Sequence, residues 1–138
     1  MFSDPEAVKT FVLAGNATVT LESEKTSKHF TYKVCKPWED KDLWFVSLLT
    51  GPNNVDDFTY IGSIKNDTFC LTKKSALPPE APSVAGFKYM CDWVSTKRMP
   101  PKMRIHHEGK CGRCGRPLTV PESVESGLGP ECREILGL

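Results

Sequence analysis

Three cysteines and a histidine near the C-terminal end of the sequence are spaced as metal ligands: His107, Cys111, Cys114 and Cys132 read H-x3-C-x2-C-x17-C. Thiolate sulfur and imidazole nitrogen are the donors of structural zinc sites, and a C-x2-C pair on a tight turn lets both thiolates face one ion. Gly115 follows the second cysteine; without a Cβ this residue admits a positive φ and lets backbone N–H groups approach the sulfurs. Pro130 suits the first position of a terminal helix, which places Cys132 in a first turn where the helix dipole favours a thiolate. A two-knuckle site would have a fourth cysteine at position 135, where Ile135 stands, so a histidine is expected to complete the set. His107 is preferred because the Glu108-Gly109-Lys110 link can fold its ring back to the ion, and His106 is the alternative. Four protein ligands leave no open position for water or substrate, so the expected Zn2+ holds structure and the chain is not expected to be an enzyme.

A redox C-x-x-C needs a βαβ setting that the pattern lacks. Three disulfides from six cysteines are disfavoured, because Cys35, Cys70 and Cys91 lie in apolar-patterned segments where a reduced thiol serves as a small core residue. The N-terminal residues show no basic region followed by an apolar stretch, which points to a reducing, cytoplasmic setting. No apolar run reaches the length of a membrane span.

Charge is unevenly spread over a chain whose net value is only +1. Residues 1–60 carry nine acidic and six basic side chains, whereas residues 61–138 carry eight and twelve. The excess is densest where Lys97, Arg98, Lys102, Arg104, Lys110, Arg113 and Arg116 surround the single acid Glu108. This basic run overlaps the metal ligands, and lysines and arginines so placed can meet phosphates.

Those ligands need elements to hold them. Ser3-Asp4-Pro5-Glu6 reads as a helix start, with Ser3 as cap and Glu6 closing a capping box, and Gly15-Asn16 as its end. Alternating Val19 and Leu21, then Phe30, Tyr32 and Val34, predict a hairpin. Leu43 to Leu49, Phe58 to Ile64 and Thr68 to Thr72 continue it, the last two joined across Asn66-Asp67. The expected first unit is therefore an α+β domain over residues 1–99, with an antiparallel meander of about five strands. A second helix, capped by Ser83 and running to about Lys97, packs on that sheet. Pro100-Pro101 then marks the boundary to a zinc-knuckle module over residues 100–138.

The segment from His107 through Cys111, Cys114-Gly115-Arg116, Leu118-Thr119, Pro121, Ser123, Gly127, Gly129-Pro130 and Cys132 resembles the C-terminal signature of an uncharacterised family of small bacteriophage and prophage proteins. Trp44 to Ser47, Thr50-Gly51-Pro52 and Tyr60-Ile61-Gly62 are similar to the segment that often precedes it. The resemblance implies a phage-encoded protein acting inside a bacterial cell and assigns no activity.

Two functions are expected from these features. The first is a zinc-stabilised nucleic-acid-binding module, with the basic run on phosphates and Tyr32, Phe58 and Tyr60 available to stack on bases, although core packing explains those aromatics more simply. The turn Pro121 to Ser126 with Gly127-Leu128-Gly129-Pro130 also looks like a hairpin that offers backbone N–H groups to phosphate. The second is a protein-binding factor that blocks a host enzyme or defence complex, for which the near-neutral total charge and acidic N-terminal half argue. No nucleophile and base stand together to suggest catalysis.

Overall fold

Asp4 is extended (φ −127°, ψ 128°) and its carboxylate accepts the Ala7 N–H at 3.3 Å, opening helix α1 over Pro5–Val12. The expected Ser3 cap is thus corrected by one residue: proline at the first helical position leaves the capping role to its immediate predecessor. Val8, Phe11 and Val12 are the buried stripe of α1. The computed structural model describes residues 2–36, 42–51 and 57–107, together with 112, 113, 127, 128 and 135.

Among the described residues six antiparallel strands follow: β1 (Asn16–Ser23), β2 (His29–Cys35), β3 (Leu43–Leu49), β4 (Phe58–Lys65), β5 (Thr68–Cys70) and β6 (Met103–His107). Helix α2 (Pro82–Ser95) lies between β5 and β6 in the chain. The fold is α+β, as expected, with one more strand than the sequence suggested. Strand order is β5-β4-β3-β2-β1-β6, so the first five strands are a meander and the sixth joins its far edge beside β1.

Alternation explains the sheet. Ala17, Val19 and Leu21 of β1 and Tyr32 and Val34 of β2 point into the core, and their neighbours point to the other face. Asn66 and Asp67 both have positive φ (52° and 61°), the geometry of a tight two-residue hairpin turn between β4 and β5. Between Val46 and Ser47 the β3–β4 register slips, which leaves Ile61 as the extra residue of a bulge. Gly62 beside it is required, since a Cβ there would stand 2.7 Å from the Phe69 ring.

Both helices contribute to one core with the inner face of this sheet. Phe87 of α2 packs against Tyr32 and Phe69, each at 4.9 Å between ring centres, and the Tyr32 hydroxyl donates to the Ser83 carbonyl. Tyr32 is fully buried, so it is not available to stack on a base as the sequence allowed. The indole N–H of Trp44 donates to the Leu13 carbonyl at 3.1 Å and ties β3 to the end of α1. Helix α2 starts two residues earlier than expected: Ala81 is its cap and makes no side-chain bond, while Ser83 is inside the helix and buried. Proline at the first position again sets the start.

The sheet extends beyond Pro100-Pro101. Ile105 of β6 is fully buried opposite Leu21 and its carbonyl accepts the Phe2 N–H at 2.8 Å. Of the three thiols expected in the core, Cys35 and Cys91 are half-buried whereas Cys70 is exposed; the β5 alternation puts Phe69 inward and Cys70 outward. Burial pushes the Cys91 thiol up to about 12. Among the described residues, no helix is long and apolar enough to cross a membrane.

Candidate metal centre and basic surface

Strand pairing separates the two histidines. His106 lies opposite Thr20 on β1 and His107 opposite Val19, so the two rings leave the sheet on opposite faces. His106 Nε2 is 3.6 Å from the Glu22 carboxylate, on the face away from the helices. Arg104 is on that same side, its Nη1 at 3.2 Å from Glu22 and its Nε at 3.5 Å from Glu24. The Arg104 hydrogen bond is the largest influence holding the Glu22 carboxyl below its usual range.

His107 faces the core side, where its ring centre is 5.6 Å from that of Phe2 and 5.8 Å from that of Phe11. Two glycines of the cysteine-bearing segment press on the same Phe11 ring. A Cβ built on Gly112 or on Gly127 would come within 2.6 Å of Phe11 Cδ2. Gly127 also has φ +76°. Backbone hydrogen bonds fix the pair: the Gly112 N–H donates to the Gly127 carbonyl and the Asn16 N–H to the Gly112 carbonyl, both at 2.8 Å. Leu128 is buried beside them in sequence. Thus His107, the residue after Cys111 and the Gly127 turn gather round one phenylalanine of α1.

Cys111, Cys114 and Cys132 lie outside the described residues, as do Lys110 and Arg116. The expected hairpin over Pro121 to Pro130 falls there too, except for Gly127 and Leu128. Among the described residues, no group of three or more His, Cys, Asp or Glu side chains stands ready to hold a metal. The expected ligand set therefore has one described member, His107, and its donor chemistry, one imidazole with three sulfurs, suits zinc.

Residues 106–137 match the model of DUF6011, a family of unknown function. The signature from His107 to Cys132 falls inside that span. No curated protein and no solved structure matches the chain.

Upstream of the DUF6011 segment, the described members of the basic run fall into two groups. Arg104 is engaged by Glu22 and Glu24. Lys97, Arg98 and Lys102 are exposed around the end of α2 and the turn into β6. Lys97 and Lys102 take positive φ values of 64° and 60°, and the Arg98 N–H donates to the Trp93 carbonyl. Arg113, inside the DUF6011 segment, is exposed as well.

Aromatic side chains that sequence reasoning passed over lie beside the second group. Tyr89 is 38% exposed, and its ring stands edge-on to that of Trp93 at 6.2 Å. Their i,i+4 spacing lies off the buried stripe Val84, Phe87, Met90 and Val94. That offset was visible in the sequence. On the outer face of the sheet, Phe45 and Tyr60 meet at 5.9 Å, and Lys33 Nζ lies over Phe58 at 5.8 Å.

Proposed function

We propose that His107, Cys111, Cys114 and Cys132 bind one structural Zn2+, and that the chain is a nucleic-acid-binding protein whose basic run, Lys97 to Arg116, meets phosphates. The observation that carries the metal reading is the gathering of His107, Gly112 and Gly127 on Phe11. It favours His107 over His106, which is turned to Glu22 on the opposite face of the sheet. Phage origin and the bacterial cytoplasm belong to the same proposal and rest on the sequence likeness described above. In this reading the zinc performs no chemistry; it folds a segment too poor in apolar residues to build a core. The division into a domain over residues 1–99 and a zinc module over 100–138 is part of the same proposal, with β6 as the strand by which the module is joined to the sheet.

Two measurements test it. Native mass spectrometry is expected to show one zinc per chain, absent in Cys114→Ser and in His107→Ala but kept in His106→Ala. A metal-free wild-type protein would sink the ligand assignment. In a salt-titrated assay with single- and double-stranded DNA and RNA, five or six phosphate contacts would give a log-log salt slope of roughly −4 to −5. Charge reversal at Arg113 and Arg116 is expected to flatten that slope by about two. Undetectable affinity at about 50 mM salt would end the nucleic-acid reading.

A further inference from the structure

A groove of about 510 Å³ runs between the tip of the β1–β2 hairpin and the exposed side of α2. Its floor is apolar, formed by Leu21, Phe30, Tyr32 and Met103, and its rim carries Lys25, Lys28 and Lys102 together with Tyr89. Among the described residues no carboxylate lines it, and none of the three lysines forms an ion pair with a described acid. Two described carboxylates near this rim in the sequence are already paired: Glu24 with Arg104 at 3.5 Å and Asp92 with Lys88 at 3.1 Å. Among the described residues, the rim thus presents positive charge with no paired carboxylate above an apolar surface.

Tyr89 is held in place by its hydroxyl, which donates to the Pro101 carbonyl at 3.0 Å, so its ring cannot swing away from the rim freely. Trp93 lies one helical turn on, and a second depression there is lined by Trp93, Asp92, Thr96 and Arg98. Along this side of the molecule the order is therefore lysines, Tyr89, Trp93 and arginine. Flat rings flanked by cations are what a single-stranded nucleic acid can use, since its unpaired bases stack while its backbone tracks positive charge. A duplex keeps its bases inside and cannot use the rings.

We propose that this groove and the Tyr89–Trp93 pair form a binding track for single-stranded nucleic acid, with bases on the two rings and phosphates at Lys25, Lys28, Lys102 and Arg98. The track rests on the nucleic-acid reading above and deepens it: Lys25 and Lys28 lie outside the basic run, on a hairpin far from it in sequence. The acidic, apolar segment of a protein partner is the competing occupant. The extended line of rings and charges, longer than one pocket for an anchoring side chain, favours the nucleic acid.

The test uses a fluorescein-labelled oligothymidine about 12 nucleotides long, within the site sizes of such surfaces, and the full chain at about 50 mM salt. The expected result is anisotropy-detected binding that is weakened by roughly tenfold or more in Tyr89→Ala and in the double variant Lys25→Glu with Lys28→Glu. Tyr89→Phe, which keeps the ring, is expected to retain most of the affinity, and a duplex of the same length to bind more weakly than the single strand. All the altered side chains are exposed or half-exposed, and unchanged far-ultraviolet circular dichroism with a cooperative thermal transition shows that the variants fold. If the oligonucleotide binds but these variants bind it as the wild type does, the track is wrong while the nucleic-acid reading stands. If no nucleic acid binds, both fall. Capture at the same lysines of a glutamate-rich peptide with an apolar anchor, without oligonucleotide binding, would assign the groove to a protein partner and overturn the proposal.

Discussion

Phe11 is the residue on which the two ends of the described chain depend. Its ring is fully buried and is shared by Phe2, His107, Gly112 and Gly127. Core rings have little freedom to retreat, because interiors are packed to crystal-like density. An added methyl at Gly112 meets both Phe11 Cδ2 at 2.6 Å and the Phe11 backbone oxygen at 3.1 Å. Gly112→Ala is therefore expected to cost about 1–3 kcal/mol, the usual penalty of overpacking. Gly127→Ala is expected to cost more, by about 1–2 kcal/mol, since an alanine also resists the left-handed backbone. Urea unfolding of both variants measures this; unchanged midpoints would mean that neither glycine is packed on Phe11. The importance of Gly112 had a signal in the sequence, the C-x2-C turn, but its partner did not. No pattern in a sequence says that a turn 101 residues after Phe11 comes to lie on that ring.

At the level of elements, the parts that were legible are those whose side chains alternate cleanly or repeat with a helical stripe. Val19, Leu21, Tyr32 and Val34 announced the first hairpin, and Val84, Phe87 and Val94 the second helix. Strand β6 was not legible, because in Met-Arg-Ile-His-His only Ile105 is both apolar and fully buried, and the proline pair before it reads as a boundary. What makes it a strand is its partner: five residues of β1 lie opposite it, from Val19 to Ser23. Tertiary pairing here overrides a weak local preference, as sheet propensity commonly allows. Ile105→Ala is expected to cost about 2–5 kcal/mol, as large-to-small changes in a core do. Arg104→Ala next to it removes only exposed ion pairs and is expected to stay within about 1 kcal/mol of wild type. Chemical denaturation of the two variants checks the contrast, and equal losses would deny that β6 is anchored through Ile105. The H-x3-C spacing favours His107 as a ligand, while the reason His106 is turned to Glu22 lies in the β1–β6 register, which no sequence pattern gives.

The whole molecule divides its charge by location as well as by sequence. Lys102, after the end of α2, lines one groove with Lys25 and Lys28 of the hairpin tip. Two basic groups distant in the sequence thus become one surface through the fold alone. The same topology makes Pro100-Pro101 a poor place to cut. A chain ending at residue 99 would leave the outer side of β1 without β6 and the Phe2 N–H without the Ile105 carbonyl. An unpaired edge of this kind is a template for association with other chains. Such a truncated chain is expected to self-associate in size-exclusion chromatography with light scattering, and a stable monomer would contradict the account.

The placement of β6 also has a meaning in time. A ribosome makes Asn16–Ser23 early and Met103–His107 only after the rest of the sheet and both helices. Until Met103–His107 emerge, the nascent chain therefore carries a bare row of N–H and C=O groups on β1, and closing so distant a pair is slow relative to the local hairpins. Protection of that row during translation falls to whatever the cell supplies, and it ends when Ile105 docks opposite Leu21.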